Sequence, residues 1–178
     1  GYVSDIIEGI EWAIDKDLDI VNLSLGTGTD VQALHDVIDK ATRKNIIVVA
    51  AAGNDGKAVN YPAKYTNSIA VSALDSNNNV PSWSSRGSEV SVAAPGVSIY
   101  STWNDGGYKN LQGTSMATPH VSGLAALTLG EPIPANFDKN HNKQWEVAEV
   151  RNYLQKNAKD LGQHGKDNLY GYGLIQGK

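Results

Sequence analysis

The chain has 178 residues, a net charge of −4, 40% apolar residues and 19% charged residues, which suits one globular domain with a real core and argues against nucleic acid as a partner. The absence of cysteine excludes disulfides, a thiol nucleophile and cysteine-ligated zinc. No apolar run approaches the length of a membrane span, and the four histidines lack the His-Glu-x-x-His spacing of zinc hydrolases, so neither membrane insertion nor a catalytic cofactor is expected.

The first residues, GYVSDIIEGIEWAI, are already helical in pattern, with Ser4 as the expected cap and Ile7, Ile10 and Ile14 as an apolar stripe. An opening of this kind reads as a cut edge. A strand is predicted over Asp19–Gly26, then a helix capped by Asp30 with Leu34, Val37, Ile38 and Ala41 on one face. The apolar run Ile46–Ala52 reads as a strand buried on both faces, and Ser68–Leu74 as the next strand. Residues 75–108 read as loops and short strands. A buried helix is predicted over Met116–Leu129, and a polar, proline-bearing surface loop with no assigned role over 130–143. An amphipathic helix over Gln144–Ala158 follows, and LYGYGLI is expected to add a closing strand. Helix, strand, helix and strand joined by short links imply an α/β fold with an open parallel sheet and helical crossovers.

Open parallel sheets bind ligands beyond the carboxyl ends of their strands. Two such ends stand out, Ser24-Leu25-Gly26 and Gly53-Asn54-Asp55. The Asn54 amide is able to donate to a developing oxyanion, although Gly53-Asn54 alone is equally a strand-ending turn. In GTSMATPHVSG, Ser115 stands between a glycine and a helix, where its hydroxyl and its free backbone N–H would face a carbonyl together. Taken alone, Ser115 or Thr114 is equally a helix cap.

A serine hydroxyl needs a base. His120 lies five residues beyond Ser115, about 140° round the helix, and reads as a packed helix residue. His35 reads as a half-covered helix residue, His141 falls in the polar connection, and His164 falls in a late loop. Gly113-Thr114-Ser115-Met116-Ala117 also approaches the elbow of α/β-hydrolase esterases, with Asp138 or Asp160 and His164 as possible partners. The polar residues before it argue against the buried strand that an elbow requires. A dinucleotide-binding reading of SLGTGTDV fails because its third glycine falls on Val31.

Together, GTSMATPHVSGLAA, VVAAAGNDG, IVNLSLG, YPAKY and VAAPGVSIYST resemble, in order, landmarks of the subtilases, the subtilisin-like serine proteases, with secreted bacterial members most similar. The resemblance implies a three-layer open parallel sheet with helices on both faces, the N-terminal part absent. Residues 1–178 would then form the C-terminal portion of a single catalytic domain. It implies a secreted serine endopeptidase acting on polypeptide through an acyl-enzyme on Ser115. Asn54 would be the oxyanion donor and Thr114 would assist. Ser24, Leu25 and Gly26 would be a substrate-pairing strand, and Ala51, Ala52 and Gly53 the other wall of an apolar pocket. It also implies a structural cation near Ala63, Tyr65, Ser68 and Glu89. The family often has aspartate where this chain has Ser91, which shifts the expectation from calcium toward sodium or potassium. The family's Asp-Thr/Ser-Gly and His-Gly-Thr-His segments are not found among these residues. The acid and base are therefore expected on an N-terminal portion of the same domain, and the chain alone is expected to be inactive and poorly soluble. A non-catalytic peptide-binding module is the alternative.

Overall fold

The computed structural model describes residues 1–177. Four parallel strands lie in the order β1-β2-β3-β4, where β1 is Ile20–Leu23, β2 Ile47–Ala51, β3 Ser68–Leu74 and β4 Val90–Pro95. Register runs from Ile20 opposite Ile47 to Leu23 opposite Ala50, and from Val48 opposite Ser68 to Ala51 opposite Val71. Every residue of β2 and β3 is buried, which is why both read as unbroken apolar runs.

Successive side chains on β2 point to opposite faces. Val48 and Ala50 pack beneath helices α1 (Val3–Asp15) and α2 (Gln32–Arg43), with Ile10, Ile14, Leu34 and Ile38. Ile47 and Val49 pack beneath α3 (Thr114–Leu129) and α4 (Val147–Lys156), with Val121, Ala125, Val150 and Leu154. The result is the expected three-layer α/β arrangement. Burying a side chain such as Leu154 stabilises by about 1.5–3 kcal/mol. A hairpin of β5 (Ile99–Thr102) and β6 (Tyr108–Leu111) stands apart from the main sheet.

Several local expectations are corrected. Ser4 lies inside the first turn of α1, not at its cap, and the Asp5 carboxylate accepts the Tyr2 N–H. Val31, not Asp30, precedes α2; the Asp30 carboxylate instead accepts from the Tyr65 hydroxyl at 2.9 Å. The strand expected to reach Gly26 ends at Leu23. The LYGYGLI stretch forms no strand. Leu174 makes only single bridges to Ala93 and Lys159, because Gly171 and Gly173 take positive φ values of 61° and 119°. Helix α3 begins at Thr114, two residues earlier than expected, which brings Ser115 into its first turn. It is also not wholly buried: Pro119, His120, Gly123 and Ala126 are exposed along one strip, and Leu127 is 71% exposed.

Candidate active site

Strand β2 ends at Ala51, and the chain turns through Ala52 and Gly53 to present Asn54 at the surface. Gly53 has φ +118°, and a Cβ there would stand 2.6 Å from Asn60 Nδ2 and 2.7 Å from Ser85 Oγ. Only glycine fits that turn. Asp55, next in line, is fixed by the Ser85 hydroxyl at 2.8 Å and the Lys57 N–H at 3.1 Å, and these two bonds, the Ser85 one foremost, hold its carboxyl below the usual range.

Thr114 joins this turn to α3. Its N–H donates to Asn54 Oδ1 at 2.8 Å, and its hydroxyl lies 3.0 Å from the same oxygen. The Gly53 N–H donates to Thr114 Oγ1 at 3.1 Å. Because a backbone N–H requires an acceptor, the amide orientation of Asn54 is fixed, with oxygen toward Thr114 and Nδ2 away from it. Among the described residues Nδ2 has no hydrogen-bond partner. Thr114 is fully buried, so its hydroxyl orients Asn54 from below. Gly113, with φ +150°, brings the backbone close to the amide; a Cβ there would lie 3.4 Å from Asn54 Nδ2.

Ser115 is the second residue of α3. Its N–H has no acceptor among the described residues, as expected for the first turn of a helix, and it shares the positive end of the helix dipole. Among the described residues neither Asn54 Nδ2 nor the Ser115 N–H has an acceptor, and both adjoin Thr114, Asn54 through its hydrogen bonds and Ser115 in sequence. The hydroxyl itself donates to the Ser24 carbonyl at 3.2 Å, and the Ser24 hydroxyl donates to the Ser115 carbonyl at 2.8 Å. Asn22 Nδ2 donates to Ser24 Oγ at 2.9 Å, and Ser122 donates to Asn22 Oδ1 at 2.8 Å, which ties the end of β1 to α3. Sequence reasoning missed Asn22; its only signal was a polar residue in the middle of IVNLSL.

Beyond Ser24, the main-chain N–H and C=O groups of Leu25 and Gly26 have no hydrogen bonds among the described residues. Ala51 and Ala52 are buried and Gly53 is half-buried. The Ala52 N–H and C=O are bonded to Val71 and Asn60, and the Gly53 carbonyl accepts from Ser85, so none of these groups is free. On the other side of Ser115 lies a groove of about 450 Å³ between α3 and the β5–β6 hairpin, lined by Met116, His120, Tyr100, Trp103 and Leu111. The hairpin's contribution was also missed by sequence reasoning.

His120 is exposed and not packed, and its Nδ1–H donates to the Met116 carbonyl at 2.9 Å. His35 is half-buried, stacks on Tyr65 at 4.2 Å and lies 3.8 Å from Asp39. His164 pairs with Asp160 at 3.0 Å on the surface. No histidine among the described residues hydrogen-bonds to Ser115 Oγ. Ser115 follows a two-stranded hairpin and not a central strand, so the esterase elbow is not formed, and Asp138 has no histidine nitrogen within 4.0 Å among the described residues.

The residues expected to hold a cation fit a divalent ion poorly. Ala63, Tyr65 and Ser68 line the turn into β3, and the Tyr65 carbonyl already accepts the Ser68 N–H at 2.9 Å. Glu89 supplies the single carboxylate, with Lys64 Nζ 4.0 Å away. Calcium takes six to eight oxygens. No three His, Cys, Asp or Glu side chains gather as a metal set among the described residues.

Subtilisin E of Bacillus subtilis (strain 168) is 48% identical over 180 residues, covering 98% of this chain and 44% of the relative. Subtilisin Savinase of Lederbergia lenta is 42% identical over 176 residues, covering 98% of this chain and 61% of the relative. The chain therefore spans less than two thirds of the length of these curated relatives. The crystal structure of a lanthipeptide protease shares the fold with a TM-score of 0.85 at 24% identity, over 98% of this chain and 64% of that one. The model of the subtilase family matches residues 1–173, and on that match the chain belongs to the subtilase family.

Proposed function

We propose that this chain carries the nucleophile and the oxyanion donors of a serine endopeptidase, and that residues 1–178 are the C-terminal portion of one catalytic domain. The observation that carries the reading is the Thr114–Asn54 bond. It ties the oxygen of the Asn54 amide to the residue before Ser115 and so leaves the amide N–H free, as the Ser115 N–H also is. Ser115 Oγ attacks the peptide carbonyl, its proton passes to an imidazole, and the carbonyl oxygen becomes an anion held by Asn54 Nδ2 and the Ser115 N–H. The same imidazole then gives its proton to the departing amine, and water releases the acyl group from Ser115.

The imidazole and its carboxylate partner come from polypeptide outside these residues. Among the described residues strand β1 pairs only with β2, which leaves an open edge for a further parallel strand, and the exposed strip of α3 gives that segment a surface to cover. An extended substrate adds itself to the free backbone of Leu25 and Gly26. Ser24 anchors the start of that strand, and Ala51, Ala52 and Gly53 form the facing wall. A non-catalytic peptide-binding module would use the same groove but would not require two free donors at Ser115. The similarity to subtilisins supports action outside the producing cell. At Ala63, Tyr65, Ser68 and Glu89 the single carboxylate favours sodium or potassium over calcium.

Fluorophosphonate labelling of Ser115 tests the function, with the chain alone and with a polypeptide carrying the family's aspartate and histidine segments. Labelling is expected only in the mixture. Absence of labelling in both overturns the catalytic reading; equal labelling in both overturns the external base.

A further inference from the structure

The connection between α3 and α4 contains a spacing that the protease chemistry does not use. From Asp138 it reads DKNHNKQWEVAE, with Asp138 at position 1, Asn140 at 3, Asn142 at 5, Glu146 at 9 and Glu149 at 12. A calcium loop of twelve residues takes its oxygens from those positions and from the carbonyl at position 7, here Gln144. Position 6, where the motif has glycine, is Lys143, and its φ is +62°, in the left-handed region. Position 10, Val147, opens α4, so Glu149 stands in the first turn of a helix and reaches back over the loop.

The side chains lie as such a loop needs. Asp138 Oδ1 and Oδ2 accept the N–H groups of Asn142 and Lys143, each at 3.1 Å. Glu149 Oε1 and Oε2 accept those of Lys139 at 2.8 Å and Glu146 at 3.0 Å, which closes the ring between its two ends. Asn140 and Asn142 both reach Glu146 Oε1, at 2.5 and 3.3 Å. A carboxylate has about four lone-pair sites, so two N–H groups on each leave room for a cation.

Asp138 and Glu149 are 7% and 4% exposed. Neither has a lysine, arginine or histidine nitrogen within 4.0 Å among the described residues. Buried charges are paired or coordinate metals. The lysines of the loop do not supply the pair: Lys139 Nζ donates to the Asn136 carbonyl, and Lys143 makes no ion pair among the described residues.

We propose that residues 138–149 bind one calcium ion, through the side chains of Asp138, Asn140, Asn142 and Glu149 and the Gln144 carbonyl, with Glu146 acting through a water. The asparagines at positions 3 and 5 lower the loop's negative charge, which places its affinity with the weaker modules, at a dissociation constant on the order of 10⁻⁴–10⁻³ M. The site would pin the start of α4, and with it Trp145 and Val150, to the sheet.

Terbium(III), a calcium substitute, reads the loop in the 178-residue protein because Trp145 at position 8 is placed to sensitise its luminescence. A saturable signal displaced by calcium chloride is expected, with affinity reduced about tenfold or more in Asp138→Asn and Glu149→Gln. Lys143→Gly is expected to tighten binding, since glycine adopts positive φ without strain. Near-ultraviolet circular dichroism confirms that each variant is folded. Three results would overturn the site: no saturable signal, a signal that survives Glu149→Gln, or a signal that disappears in Glu89→Gln instead. If the two carboxylate variants fail to fold, Lys143→Gly decides: tighter binding supports the site, and unchanged or weaker binding overturns it.

Discussion

The Ser24 hydroxyl donates at 2.8 Å to the carbonyl of Ser115, and the reason lies four residues further on at Pro119. In an α-helix the carbonyl of residue i accepts from the N–H of residue i+4. Proline has no N–H, so the Ser115 carbonyl is left without its helical donor, and Ser24 replaces it. Ser24→Ala is expected to destabilise by about 1–3 kcal/mol, the cost of an unsatisfied part-buried acceptor. Pro119→Ala would restore the helical donor, so Ser24→Ala in that background should cost much less. Denaturant unfolding of the four proteins of this cycle measures the coupling. Equal cost in both backgrounds would show that Ser24 does not act through the Ser115 carbonyl.

The Asn54 amide is oriented by Thr114, and the two residues therefore fail differently. Asn54→Ala removes the donor and should lower kcat of the assembled protease by roughly 10²–10³ with little change in KM, a magnitude already known for one oxyanion donor in subtilisin itself. Thr114→Val keeps the N–H that holds Asn54 Oδ1 but removes the hydroxyl bonded to Gly53 and Asn54. It should cost about 1–3 kcal/mol of stability and lower kcat by less than Asn54→Ala does. Steady-state kinetics beside thermal unfolding separate the two. An Asn54→Ala enzyme with native kcat would remove Asn54 from the oxyanion site.

The parts legible in the sequence are those where local pattern and tertiary structure agree. Ile47–Ala51 and Ser68–Leu74 are buried on both faces, so apolarity alone marks them. Asn54, Thr114 and Ser115 stand in motifs whose order survives without coordinates. The β5–β6 hairpin was hidden because its strands are four residues each and mostly exposed, and its Tyr100–Tyr108 stack at 5.3 Å forms only once the register is set. Asp30 has the chemistry of a helix cap, but the buried Tyr65 hydroxyl competes for it. His120 looked packed because it stands among small and apolar residues, yet α3 turns that strip outward. Residues 138–143 read as a surface loop and 144–149 as the start of a helix, because the ligand spacing runs across that boundary and follows neither helical nor strand period.

The same outward strip bears on solution behaviour. Leu127 is 71% exposed, Trp12 59% and Leu18 38%, and the outer edge of β1 is unpaired. An open strand edge beside apolar surface promotes self-association. Sedimentation velocity of the chain alone should show concentration-dependent association, relieved by adding the N-terminal portion of the domain. Leu127→Lys should also reduce it, since a charge on an exposed helix position opposes burial. A monodisperse monomer across a wide concentration range would contradict the proposed open edge.

Tyr65 gives the fold an alkaline limit. Burial pushes its phenol up to about 12, and the Asp30 carboxylate 2.9 Å from the hydroxyl adds to the rise. In the unfolded chain the group titrates near 10. Below that pH both states keep the proton, and the group adds no pH dependence. Between about 10 and 12 the unfolded chain releases a proton that the folded chain retains, so stability falls as pH rises through this window. Tyr65 should therefore ionise late in a tyrosinate absorbance titration, and Tyr65→Phe should abolish that late step. The variant should be less stable than the native chain near neutral pH by about 1 kcal/mol, through the lost bond to Asp30. It should also lose less stability on going to high pH. An alkaline loss of the same size in Tyr65→Phe would assign the limit to another group.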